Sequence, residues 1–145
     1  MTDLRTAAYG ALLLRVSLGV LALAHGILKV FVFTVPGTVQ FFQSLGYPGF
    51  VAYLVMFGEI AGGLALIAGL WTRAVALLML PILIGATLSH LGNGWLFSAA
   101  KGGWEFPAFW TVALLVQALL GDGAHALKLP IPGAGLLRPA TSAQE

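Results

Sequence analysis

Cysteine is missing from all 145 positions. Its absence excludes disulfides, thiolate nucleophiles, iron–sulfur ligation and haem attachment through cysteine, so any redox role requires a bound carrier. Charge is almost as scarce, with Asp, Glu, Lys and Arg making up 8% of the chain, against about 25% in an ordinary globular domain. A soluble fold so poor in charge cannot cover its own surface, whereas lipid solvates an apolar exterior directly. The net charge of +2 is small and scattered, which excludes the concentrated basic surface that nucleic-acid binding needs. A cleavable leader is not expected either. The first apolar stretch, residues 7–33, is too long for a leader's apolar region and lacks an A-x-A-like site at its end.

What is abundant is apolar: hydrophobic residues make up 59% of the chain, and there are 19 glycines, a residue commoner in membrane helices than in soluble ones. A spanning helix needs about 20 mostly apolar residues, and four stretches qualify: residues 8–32, 50–70, 73–91 with Pro81 as a bend, and 105–121 with Pro107 in the first turn. The expected fold is all-α, a four-transmembrane-helix bundle over residues 1–128, followed by an irregular tail over 129–145 that holds three prolines and two glycines. Between the first two spans, an uncharged amphipathic run at residues 38–45 predicts a short interfacial helix. The link at residues 69–72 is so short that the helices it joins must be antiparallel neighbours. Trp95 and Trp104 in the next, glycine-rich connection favour the headgroup level. With four spans both ends share a side, which carries Arg5, Arg73, Lys128 and Arg138 against Lys29 and Lys101 on the other. This balance places both termini in the cytoplasm.

Polar groups inside the bilayer usually face the bundle and pair, because a charge in hydrocarbon costs several kcal/mol on insertion scales, about 3 by the smaller estimates. Arg15 and Lys29 lie fourteen residues apart, almost four helical turns, and so share a face with Gly19, Ala22 and Gly26 beside it. Glu59 stands nine residues into the second span, about 13 Å deep. In the chosen orientation His25, Lys29, His90 and Glu105 reach one level near the outer end, with Glu59 beneath them and Arg15 deeper. The expected interior is one polar pocket lined by His25, Lys29, His90 and Glu105, with Glu59 on its floor and Gly26, Gly62 and Gly63 bringing the first two helices together. Glu59 pairs with Lys29, about 11 Å away along the axis, or with Arg15 from below. Each residue also has a plainer role. Arg15 snorkels, Lys29 anchors a helix end, Glu59 packs on a hydroxyl or carbonyl, and Glu105 answers the helix dipole. Lys29 beside the other groups repels a cation, so no metal is expected.

The same residues resemble the DoxX family of small four-helix membrane proteins over residues 12–127. The resemblance rests on LLLRVSLGVLALAHGILKV, with Arg15, Gly19, His25, Gly26 and Lys29, and on GEIAGGLALIAGLWTRAVAL, with Glu59, Gly62, Gly63, Gly69 and Arg73, joined by His90 and Glu105. The ending GDGAHALK keeps Gly121, Gly123 and Leu127 but has Ala126 and Lys128 where the family has serine and aspartate. The resemblance implies the four-helix fold. It also implies kinship with subunits of membrane-bound thiosulfate:quinone oxidoreductase and with partners in membrane complexes connected with thiol and oxidative stress.

Three functions follow. The first is an accessory or quinone-associated subunit of an oxidoreductase system in the inner or plasma membrane. There Lys29 or His25 donates to a quinone oxygen and Glu59 or Glu105 relays a proton, with Arg15, His25 and Lys29 the candidates for holding the cofactor. The second is a non-catalytic scaffold or anchor whose polar set only specifies packing. The third is a small-solute or proton-coupled transporter, for which four short helices offer a narrow path unless the protein oligomerises. The expected partners are the bilayer and another membrane or membrane-associated protein.

Overall fold

The computed structural model describes residues 3–130; Arg138, the side chain of Arg5 and most of the expected tail lie outside the described residues. Helix α1 (Leu4–Ile27) continues into a π-helical turn, Leu28–Val32, and is followed by α2 (Val35–Ser44), α3 (Phe50–Ala68), α4 (Thr72–His90) with a 3₁₀ turn at Leu91–Asn93, and α5 (Glu105–Leu120). α1 packs on α3, α3 on α4, α4 on α5, and α5 returns to α1, closing a ring of four around one core. Three segments, Thr6–Val32, Phe50–Ala68 and Thr72–Asn93, are long and apolar enough to cross a bilayer. α5 is apolar but has 16 residues, about 24 Å at 1.5 Å per residue.

The short helix between the first two spans begins three residues earlier than the sequence pattern places it. Thr34, at φ 63°, caps it by accepting the Gly37 N–H at 3.3 Å, and Pro36 occupies the first turn. Proline there loses no intrahelical bond, so it starts the helix rather than bounding it.

Glycine sets how closely the helices approach. A Cβ placed on Gly63 would lie 2.7 Å from Leu23 N and 2.8 Å from Gly19 O, and one on Gly26 would lie 3.2 Å from the Glu59 Cβ. The α1 and α3 backbones therefore touch along Gly19, Gly26 and Gly63. Gly62 does not join them, because one residue turns a helix by about 100° and points it at α4, where a Cβ would meet the Met79 Sδ at 2.7 Å. These contacts also fix the register. Gly26 is level with Glu59, so Lys29 stands three residues beyond it, about 4.5 Å along the axis, not 11 Å.

Leu18, Ala22, Leu66, Ala76, Met79, Leu83, Trp110, Ala113 and Leu114 form the core. Large apolar side chains also cover the exterior: Phe57, Leu78 and Leu119 are 72%, 76% and 80% exposed. Lipid solvates such a surface and water does not.

At the end of the bundle opposite α2, the α3–α4 link turns through Gly69 at φ 75° and Trp71 at φ 44°. Residues after α5 fold back over this end: Ala124 N–H donates to Ala8 O at 3.0 Å and Leu127 N–H to Ala68 O at 3.2 Å. Arg15, 1% exposed, lies beneath them and donates from Nη2 to Ala124 O at 3.3 Å. Burial under the returning loop sets aside snorkelling, the plainer role open to it. A side chain on Gly69 would run into the Arg15 guanidinium, so this glycine meets two demands, a left-handed backbone and room for the arginine.

Candidate functional site

At the α2 end the chain departs from a regular α-helix. Phe33 N–H reaches back five residues to Leu28 O at 2.9 Å, the signature of a π turn, a local form often found at functional sites. The Lys29 carbonyl is thereby passed over by Phe33. It accepts instead from Thr38 Oγ1 at 2.8 Å, and Thr38 is buried. One hydroxyl thus ties α2 to the turn that carries Lys29.

The Lys29 ammonium meets both oxygens of the Glu59 carboxylate at 2.8 Å. Glu59 is 4% exposed, and nothing but a partner or a proton makes that depth tolerable. The sequence left Glu59 a choice of partner, and the pair is with Lys29. Arg15 belongs to the opposite end of α1, fourteen residues or about 21 Å away along the helix.

Lys29 and Glu59 line a cavity of about 350 Å³, inside the range of roughly 300–1,000 Å³ typical of small-molecule sites. His25 and His90 line it too, with Phe41 and Phe42 from α2 and Phe106 and Trp110 from α5. A neighbouring hollow of about 550 Å³ shares Lys29, Phe41, Phe42 and His90 with it. The His25 ring sits edge-on to Trp110 at 4.9 Å and stacks at 6.1 Å on Phe106. Trp110 Nε1 is buried without a hydrogen-bond partner.

Glu105 does not line this cavity. As the first residue of α5 it turns back to the preceding loop and accepts the Phe97 N–H at 2.9 Å, beside the Trp95–Trp104 pair at 4.5 Å. The residues sequence reasoning passed over are Thr38, Phe41, Phe42, Phe106 and Trp110. The apolar face of the α2 amphipathic run was the signal for the two phenylalanines. Thr38 had none, because its role depends on a π turn. Among the described residues, no three His, Asp or Glu side chains converge in a metal-holding arrangement.

Residues 10–92 match the DoxX family model. The chain belongs to the DoxX family. It is similar to the Putative oxidoreductase CatD of Bacillus subtilis, 42% identical over 80 residues that cover 55% of this chain and 58% of CatD. Inner membrane protein YqjF of Escherichia coli is 31% identical over 121 residues, 81% of this chain and 88% of that protein. Uncharacterized protein YdgD of Bacillus subtilis is 35% identical over 85 residues, 56% and 73% of the two chains. No solved structure matches. This DoxX member is a multi-pass protein of the inner or plasma membrane.

Proposed function

We propose that this DoxX-family chain is a membrane-embedded, quinone-associated accessory subunit of an oxidoreductase system, and that the cavity at the α2 end receives the quinone ring. The observation that carries this reading is the Lys29–Glu59 pair set in the wall of an aromatic-lined cavity. An ammonium has three hydrogens, and Glu59 takes two of them. The third supplies a donor for a quinone oxygen, strengthened by the low local dielectric. Phe41, Phe42 and Phe106 offer apolar faces to the ring. A bound quinone supplies a two-electron, two-proton carrier, which a chain without cysteine does not provide itself. Glu59 is the group placed to exchange a proton through Lys29. The relative CatD carries the name of an oxidoreductase, which agrees with this assignment, and the electron-carrying partner is a second membrane or membrane-associated protein.

The architecture that goes with this reading has α5 as a fourth span, both termini in the cytoplasm, and the domain ending near residue 128. α5 is short, but it packs in the ring and buries Trp110, Leu114 and Gln117 while leaving Phe109 and Leu119 outward. The Trp95–Trp104 pair adds interfacial length at its start. Transport fits less well, because the apolar core lies between the Arg15 end and the cavity. The scaffold reading keeps one observation in its favour: Lys29 and Glu59 satisfy each other without a ligand.

Thermal unfolding in lipid nanodiscs with and without a short-chain ubiquinone separates the two. Quinone binding at a hundredfold excess over Kd stabilises by about 2.7 kcal/mol, and Lys29→Met and Glu59→Gln should lose that gain. An unchanged wild-type midpoint sinks the quinone reading and leaves the scaffold.

A further inference from the structure

The two histidines of the cavity are held in one tautomer. His25 Nδ1 lies 2.8 Å from Leu21 O, the carbonyl one turn earlier. A carbonyl only accepts, so Nδ1 carries the hydrogen. His90 Nδ1 lies 3.0 Å from Gly102 O and 3.2 Å from Asn93 Nδ2. Asn93 has two amide hydrogens and two carbonyl acceptors of its own, Lys101 O and Gly102 O, each at 3.0 Å. Giving those hydrogens to the carbonyls and the His90 Nδ1 hydrogen to Gly102 O satisfies every carbonyl. The other choice sets the His90 lone pair against Gly102 O. In both neutral rings the opposite nitrogen, Nε2, is therefore an acceptor, and neither Nε2 has a partner among the described residues. Both residues line the cavity.

A quinone oxygen only accepts. It suits Lys29 but has nothing to give two imidazole lone pairs. A hydroquinone hydroxyl both donates and accepts, and so answers both kinds of group. Resting on the reading of this cavity as a quinone site, we propose that it selects the reduced, dihydroxy form of the ring, with hydroxyls donating to Nε2 of His25 and His90 while an oxygen accepts from Lys29. The protein then holds the quinol, with the histidines accepting the hydrogen bonds of its hydroxyls.

The test is anaerobic binding of duroquinol and duroquinone to the full chain in nanodiscs. Duroquinol should bind about tenfold tighter for each hydroxyl–imidazole bond formed. His25→Phe and His90→Phe should each reduce that ratio by about tenfold, through weaker duroquinol binding. The wild-type ratio decides even if a variant fails to fold. Equal affinity, or tighter binding of duroquinone, overturns the selectivity and leaves the quinone site standing; binding of neither overturns both. A ratio that survives in both variants removes the histidines as its cause and overturns the proposal as well.

Discussion

At the scale of single residues the account turns on Lys29 and Glu59. Glu59→Leu leaves an ammonium without its carboxylate in a site where Lys29 is 20% exposed. It should destabilise the protein by about 3 kcal/mol. Lys29→Met combined with Glu59→Leu should recover most of that loss, which unfolding titrations in detergent would show; additive losses would mean that the two do not act as a pair. Thr38→Val tests the tie between α2 and the π turn. It strips the Lys29 carbonyl of its donor, at a cost of about 1–2 kcal/mol, and hydrogen exchange over residues 28–33 should rise. Unchanged exchange would mean the turn holds its shape without α2. That Arg15 and Glu59 turn into the bundle was legible in the sequence, since charge in an apolar run is costly enough to mark itself. How Lys29 and Glu59 meet was not, because the α1–α3 register depends on Gly19, Gly26 and Gly63 touching backbone on the facing helix. Glu105 was misjudged for a related reason: depth along a helix says nothing of the direction in which a first-turn side chain points.

At the scale of elements, small residues decide which helices lie close. Gly63→Ala and Gly19→Ala put a methyl group against backbone atoms that have no room to move, so each should cost about 1–3 kcal/mol. Gly10→Ala and Gly85→Ala meet nothing within 4 Å and should be neutral or stabilising by up to about 1 kcal/mol through helix propensity. Thermal midpoints of the four variants check the contrast, and equal effects across them would remove close packing as the cause. The apolar runs made the long helices legible to within a few residues. The π turn was invisible, since Leu28–Val32 reads as a plain continuation of the first span. The sequence reading set both Gly62 and Gly63 against the first helix, yet Gly63 serves α1 while Gly58 and Gly62 serve α4.

At the scale of the whole molecule, the bundle has an aromatic-lined cavity with the Lys29–Glu59 pair in its wall at the α2 end, a buried arginine under the returning loop at the other, and an apolar core between them. With no native cysteine, single replacements report topology without background. Gln43→Cys should react with an impermeant maleimide in intact cells, and Asp122→Cys only after permeabilisation; the reverse pattern would invert the proposed orientation. The central claim is that the cavity holds a quinone ring between α2 and α5. Its most direct test is photolabelling of the full chain, in native membrane vesicles, with an azido-substituted quinone, followed by peptide mapping. The account predicts label on segments holding Phe41–Phe42 and Phe106–Trp110, competed by unlabelled quinone and diminished in Lys29→Met. Label confined to lipid-facing positions such as Leu78 and Leu119, and not competed, would contradict it.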